Sequence, residues 1–394
     1  LPPSRERDPS EAAALAPPAW RHARTKLELA GRLSLSASAR GGRSIKNTGE
    51  HLVLSFGIFD HLDADGSPLG EMLERRLRLL EVMDREGFYG FHMAEHHSTP
   101  LGWVPSPSVF VSAAIQRTKR LRIGPLVYVL PMYHPLRVYE EVCMLDHMSN
   151  GRLMFGVGRG AALVEHQRYG VDPAHAPAMY HEAYAVIMKA CESDILNFEG
   201  QYYNFKDYLV QAKPVQRPHP PIWYGAPNAD AVGWAAPNAV NVVSLGPAVR
   251  ARAITDRYRK DWAELGRNPA EIPMMGITRH IVVADSDSDA KDMARPAYAI
   301  WREAIEMLWK RSGVPFVLNP VYPETWDELE AIGHGVAGTP ATVRDYVGRL
   351  QTESGVNYVL GQMMFGHLSF EQASHSISLF AREVMPAFTA RAAA

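Results

Sequence analysis

Two adjacent histidines, His96 and His97, follow Glu95 in the stretch FHMAEHHSTP (91–100), between an apolar run and the proline-rich LGWVPSPS. Imidazole titrates near neutrality without perturbation, so a histidine at a strand end suits proton transfer. A metal site would need three or four convergent ligands. The chain has neither an HExxH motif nor an HxH pair of the barrel-hydrolase type, and His134 and Glu165 would join only if the fold brought them close. A solvated strand end with a salt bridge is the plainer alternative. A second stretch, FGVGRGAA (155–162), lacks the third glycine of a GxGxxG fingerprint and the lysine of a Walker loop. A tight turn explains its glycines, but Arg159 between Gly158 and Gly160 is free of bulky neighbours and can reach a phosphate. A third, YGAPNADAV (224–232), reads as strand, turn and helix start, with Pro227 at the first helical position or Asn228 as the cap. Free amides at such a start suit an anion. With Arg159 they make a phosphate clamp, which implies a phosphorylated cofactor or substrate.

These residues need a scaffold, and 394 residues suffice for one large domain. Hydrophobic residues make up 46% and charged residues 21%, a globular composition. A net charge of −2 gives no electrostatic case for nucleic acid or an anionic membrane. No apolar run reaches the roughly 20 residues that span a bilayer. Cys143 and Cys191 sit in helical, partly apolar segments and read as buried thiols, which fits a reducing cytoplasm. Residues 1–50, rich in Ala, Pro, Ser, Gly and Arg, read as a disordered or non-native leader. Residues 51–386 read as one domain and 387–394 as a short tail.

From residue 52 strands and helices alternate. Strands are expected at 52–59, 88–94, 121–130, 153–158, 221–225, 239–245, 274–284 and 356–365. Helical spacing falls at 71–87, 135–149, 176–193, 247–265, 289–311 and 370–385, with another helix opening near Pro107. Eight strands with recurring crossovers favour a (β/α)8 barrel, although a doubly wound sheet would space its strands similarly. Residues 197–220 and 312–340 read as irregular excursions, the first over the upper rim. In a barrel, Glu95–His97, Tyr128–His134, Gly158–Gly160 and Tyr224–Asn228 all fall at strand C-terminal ends, where barrel chemistry is done.

The run from Glu95 to Gly160, with EHH, HPLR, LDHMSNGR and GRG in order, closely resembles the bacterial luciferase-like, flavin-dependent monooxygenases. The likeness extends over about residues 52–385. It implies a TIM barrel with rim insertions that binds reduced FMN (FMNH2), or alternatively the deazaflavin F420. It also implies homodimers, a separate NAD(P)H:flavin reductase, and oxidation of a small, partly apolar organic substrate with O2 through a flavin C4a-peroxide. Residue by residue, His96 resembles the catalytic histidine and Glu95 the acid before it. Arg159 resembles the phosphate-binding arginine, and Ala226, Pro227, Asn228 and Ala229 the phosphate-binding helix start. Leu126–Val127 resembles the site of a non-prolyl cis peptide behind the flavin ring. Gly158 departs from the reactive cysteine of luciferase alpha chains, which argues against light emission, and Ala231 and Val232 replace threonines near the phosphate. An F420-dependent oxidoreductase and a non-catalytic flavin-binding relative are the competing readings. Phe59, Trp103, Tyr128, Met132 and Tyr133 are expected to give the site an apolar wall.

Overall fold

The computed structural model describes residues 53–389, apart from 312, 314 and 319. The expected leader, 1–50, lies outside the described residues, as do residues 390–394 of the expected tail. Eight parallel strands form the frame: β1 Ser55–Asp60, β2 Gly90–Met93, β3 Arg122–Pro125, β5 Phe155–Gly158, β8 Ile222–Gly225, β9 Asn241–Ser244, β10 Met275–Val283 and β12 Tyr358–Gln362. Each pairs with the next, and β12 returns to β1 in the register Phe56–Val359. Between β3 and β5 the ring closes through a single parallel bridge, Ile123 to Leu153. Just after β3, the short β4 (Tyr128–Val129) continues the pairing to β5. The result is the (β/α)8 barrel, with its helices outside.

Small residues on the strands make the narrow interior possible. A Cβ on Gly57 would meet the Tyr358 phenol, and one on Gly124 would meet the Met154 carbonyl at 1.9 Å. Phe59, Met154, Trp223, Val243, Tyr358 and Leu360 fill the space those glycines leave. The outer layer is built by amphipathic helices. In α1 (Leu69–Glu86), Met72, Leu79, Leu80 and Met83 face inward, and Gly87 ends the helix at φ 87°. In α3 (Pro135–Ser149), Asn150 ends the helix at φ 54° and hands the chain to β5.

Three segments differ from the sequence reading. Residues 195–209 are not irregular: β6 Ile195–Glu199 and β7 Asn204–Leu209 form an antiparallel hairpin. Its body lies along the outer side of α3, through the Tyr208 hydroxyl on Glu140, and only its tip, through Tyr203, reaches Tyr133 near the rim. The Glu182 carboxylate in α5 (Ala176–Glu192) organises that tip by accepting the amides of Gln201, Tyr202 and Tyr203. In 312–340, a capping box at Thr325 and Glu328 starts α8 (Trp326–Ala331). There β11 (Gly335–Gly338) pairs with the far half of β10, which is long enough to run past the barrel. Lastly, the helix expected after Pro227 is only a 3₁₀ turn, Asp230–Val232.

Candidate active site

The long helix α7 (Asp287–Lys310) follows β10 and packs across the C-terminal mouth. Its Ala304 carbonyl accepts the Thr99 hydroxyl, and its Trp301 indole donates to Nδ1 of His61, just beyond the end of β1. Beneath this cover the residues after β2 sort into two functions. Glu95 and His97 turn inward. The Glu95 carboxylate accepts from the Val129 amide at 2.9 Å, the Tyr133 hydroxyl at 2.8 Å and His97 Nε2 at 2.9 Å. The Tyr169 hydroxyl closes the chain on His97 Nδ1 at 2.8 Å. This network, buried at Glu95 and His97, ties the end of β2 to β4.

His96 faces the mouth, with its side chain 18% exposed. Its Nδ1 lies 3.3 Å from Glu165 Oε1, and the same oxygen accepts the His97 amide at 2.6 Å. Burial pushes the Glu165 carboxyl up, but the His96 charge and the hydrogen bonds from His96 and His97 outweigh it and hold the group below its ordinary value. The His61 ring lies nearly parallel to His96, with centroids 5.9 Å apart. Burial, reinforced by His96 and His280, holds His61 well below its usual pKa and therefore neutral near pH 7.

The side of the mouth formed after β3, β5 and β8 is built differently. The Leu126–Val127 peptide is cis. Gly156 and Gly158 face it at such short range that Cβ atoms would fall 2.0 Å from the Pro125 carbonyl and 2.4 Å from Val127 Cγ2. Gly160 follows at φ 88° and turns the chain so that Arg159 is exposed. Its guanidinium has no acceptor among the described residues, while its carbonyl accepts His166 Nε2 at 2.7 Å. In the 226–229 loop, Ala226 is buried and its amide is committed to Val243. The Asn228 side chain caps the 3₁₀ turn by accepting the Ala231 amide at 2.9 Å. The free donors are therefore the amides of Asn228 and Ala229, beside the exposed Pro227. A guanidinium, two amides and a floor with no side chains fit a planar ligand that carries a phosphate.

Some expected wall residues lie elsewhere. Phe59 belongs to the barrel core and Tyr128 points outward to Ser108, while Trp103 is 41% exposed at the rim. His61, Glu165, Tyr169 and Trp301 belong to the site and carried no local motif. His61 alone had a signal, since it directly follows the first strand. Cys143 and Cys191 are both buried free thiols, pushed up to about 11 and about 12 by burial. Among the described residues no group of three or more His, Cys, Asp or Glu could hold a metal ion, and no helix is long and apolar enough to cross a membrane.

Polar groups gathered at the C-terminal mouth make this a barrel enzyme built on the usual plan of that fold. The chain belongs to the luciferase-like monooxygenase family, whose model matches residues 53–357, and it is a flavin-dependent oxidoreductase. Over 84% of the chain it is 38% identical to the uncharacterized protein y4wF of Sinorhizobium fredii, covering 96% of that protein. It is 26% identical, over 85% of the chain and 96% of the relative, to the oxygenase component of the flavin-dependent trigonelline monooxygenase of Acinetobacter baylyi. Its fold superposes on the oxygenating constituent of 3,6-diketocamphane monooxygenase from Pseudomonas putida, solved with FMN. The TM-score is 0.70 at 19% identity, covering 85% of this chain and 99% of that one.

Proposed function

We propose that this chain is the oxygenase half of a two-component system. It takes reduced FMN from a separate NAD(P)H:flavin reductase and uses O2 to oxidise a small, partly apolar organic compound. The observation that carries the reading is the convergence of His96, the cis Leu126–Val127 peptide and the unpaired Arg159 at one end of one barrel. Reduced FMN, when bound, activates O2 so that one oxygen atom enters the substrate and the other leaves as water. Arg159 and the amides of Asn228 and Ala229 hold the phosphate. Leu126 and Val127 back the ring, and the side-chain-free face of Gly158 leaves room for them. His96 handles the proton at its Nε2, on the mouth side, and Glu95 positions the β2 end without touching ligand. Trp301, Leu101 and neutral His61 exclude water from that side, which favours an uncharged substrate.

Two further parts of the proposal have their own support. The oxygenase-component relative fits a separate reductase. Val109 on α2 (Pro107–Arg117) and Met144 on α3 are 68% and 61% exposed on helices that pack together, which suits a homodimer. Two buried free thiols suit a reducing cytoplasm.

The test combines binding and turnover. FMN and F420 are titrated separately, and chemically reduced FMN is then mixed with O2 and a panel of aldehydes, cyclic ketones and charged metabolites. Tight FMN binding with oxygenation of a neutral compound is expected. His96→Ala is expected to keep FMN and lose roughly 10²- to 10⁴-fold in oxygenation rate, the usual scale for an acid–base group. Tight F420 with negligible FMN, or full turnover by His96→Ala, would overturn the reading.

A further inference from the structure

Glu165 lies in α4 (Leu163–Arg168), a helix of under two turns that follows the GRG turn. Its side chain is 3% exposed, yet it makes no ion pair with any lysine or arginine among the described residues. It reaches instead across the mouth to the end of β2. There one oxygen receives the His97 amide at 2.6 Å and stands 3.3 Å from His96 Nδ1. The next residue, His166, donates its Nε2 proton to the Arg159 carbonyl. Adjacent side chains on one short helix thus hold the two functional ends of the site.

We infer that Glu165 is a positioning residue: it fixes His96 in the tautomer that carries its proton on Nδ1, so that Nε2 is left as the atom that exchanges a proton at the mouth. The inference rests on the role proposed for His96. An ionised carboxylate can only accept hydrogen bonds. Glu165 is held ionised despite burial, so the nitrogen facing it must be the donor. The other groups around His96 do not contest the assignment. His61 from the end of β1 offers the face of a neutral ring, and its Nδ1 is taken by Trp301. Glu95 is engaged by three donors of its own, none of them His96, and Tyr169 is spent on His97. The backbone bond to His97 matters as much as the ring contact, because it stops the carboxylate from swinging away and sets where the His96 Cα lies. A carboxylate behind an imidazole is a recurrent means of fixing tautomer and ring orientation.

The experiment uses the full-length chain labelled with 15N in its histidines, with the His96 signals assigned by difference against His96→Ala. In the unsubstituted protein, once the ring is in its neutral form, His96 is expected to show a protonated Nδ1 and a bare Nε2. Glu165→Gln presents an amide that can donate, and is expected to shift the pair toward Nε2–H while FMN affinity is retained. Glu165→Asp keeps the charge and is expected to restore Nδ1–H in part. A merely structural Glu165 would leave the His96 nitrogen pattern of a folded variant unchanged, and that result would overturn the inference. So would a protonated Nε2 in the unsubstituted protein, a readout that needs no variant of Glu165 to fold. Full turnover by His96→Ala would sink the proton role of His96 and leave the tautomer result standing, so the two failures are separable.

Discussion

Gly158 has no space for even a methyl group, and the neighbour in the way is Val127 of the cis peptide. A Cβ there would meet Val127 Cγ2 at 2.4 Å and Val127 Cβ at 3.2 Å, beside the peptide proposed to back the flavin. Gly158→Ala is therefore expected to lower stability by about 1–3 kcal/mol, the usual range for overpacking. It should also weaken FMN, because Val127 must move toward the ring. Gly225, at the end of β8, is the control, since a Cβ there meets nothing within 4 Å. Gly225→Ala should stay within about 0.5 kcal/mol of the parent. Urea midpoints and FMN titrations on both variants make the comparison, and equal behaviour would refute the crowding argument. One residue further on, Arg159 should act through charge alone. Losing a charged partner of a bound anion typically costs about 2–5 kcal/mol, which is roughly 30-fold to several thousand-fold in affinity. Arg159→Ala should weaken FMN by that factor and riboflavin, which lacks the phosphate, far less. Calorimetric titration of both ligands decides, and equal losses would exclude a phosphate role.

At the scale of elements, what was legible from sequence follows the range of the forces involved. Seven of the eight barrel strands fall within their expected windows and β1 runs one residue past its own, because buried parallel strands are continuous apolar runs and need no partner to be recognised. The helix ends at Gly87 and Asn150 were marked by their own residue types, since both sit at positive φ. The hairpin β6–β7 was not legible. Its strands lie on the outside of α3 with mixed exposure, and its tip is organised by Glu182 from a helix some twenty residues earlier. β11 was missed for a related reason, since GVAG becomes a strand only because β10 overruns the barrel and offers it an edge. The turn after Pro227 has the right start signals, but Gly233 and Pro237 interrupt what would follow, and the chain settles for one 3₁₀ turn. The site divides in the same way. His96 and Arg159 sit next to their motifs. Glu165, Trp301 and the capture of Glu95 by Val129 and Tyr133 depend on contacts between distant segments, which spacing along the chain does not encode.

Across the whole molecule, buried titratable groups set how stability answers to pH. His92 and His280 lie fully inside, and burial lowers each to about 3; His334 is lowered to about 3 in the same way, and His61 is also held well below its usual value. Unfolded histidines titrate near 6.5. Below pH 6.5 the unfolded chain binds up to four protons at these positions that the folded chain refuses, so stability falls as pH falls. Asp63 and Asp60 oppose this. Burial between β1 and α1, only partly offset by the single guanidinium of Arg76, raises Asp63 to about 7 and raises Asp60 as well. Between about pH 4 and 7 the folded chain retains a proton on Asp63 that the unfolded chain has lost, and the raised Asp60 acts in the same direction, so their contribution falls as pH rises. Near pH 5 the four histidines outnumber the two opposing carboxyls, so the unfolded side binds the net excess of protons. Each excess proton is worth about 1.4 kcal/mol per pH unit, so stability should drop steeply as pH falls there. At pH 6.5 the unfolded histidines are still half protonated, about two protons against less than one on Asp63, so stability should keep rising there and level off only above about pH 7. Urea unfolding from pH 5 to 8 measures the curve. His280→Phe keeps an aromatic ring against Trp301 and Phe365 and removes one titrating site. It should reduce the slope near pH 5 by about 1.4 kcal/mol per unit, and a profile that is flat from pH 5 to 6.5 in the parent chain would refute the neutral burial of these histidines.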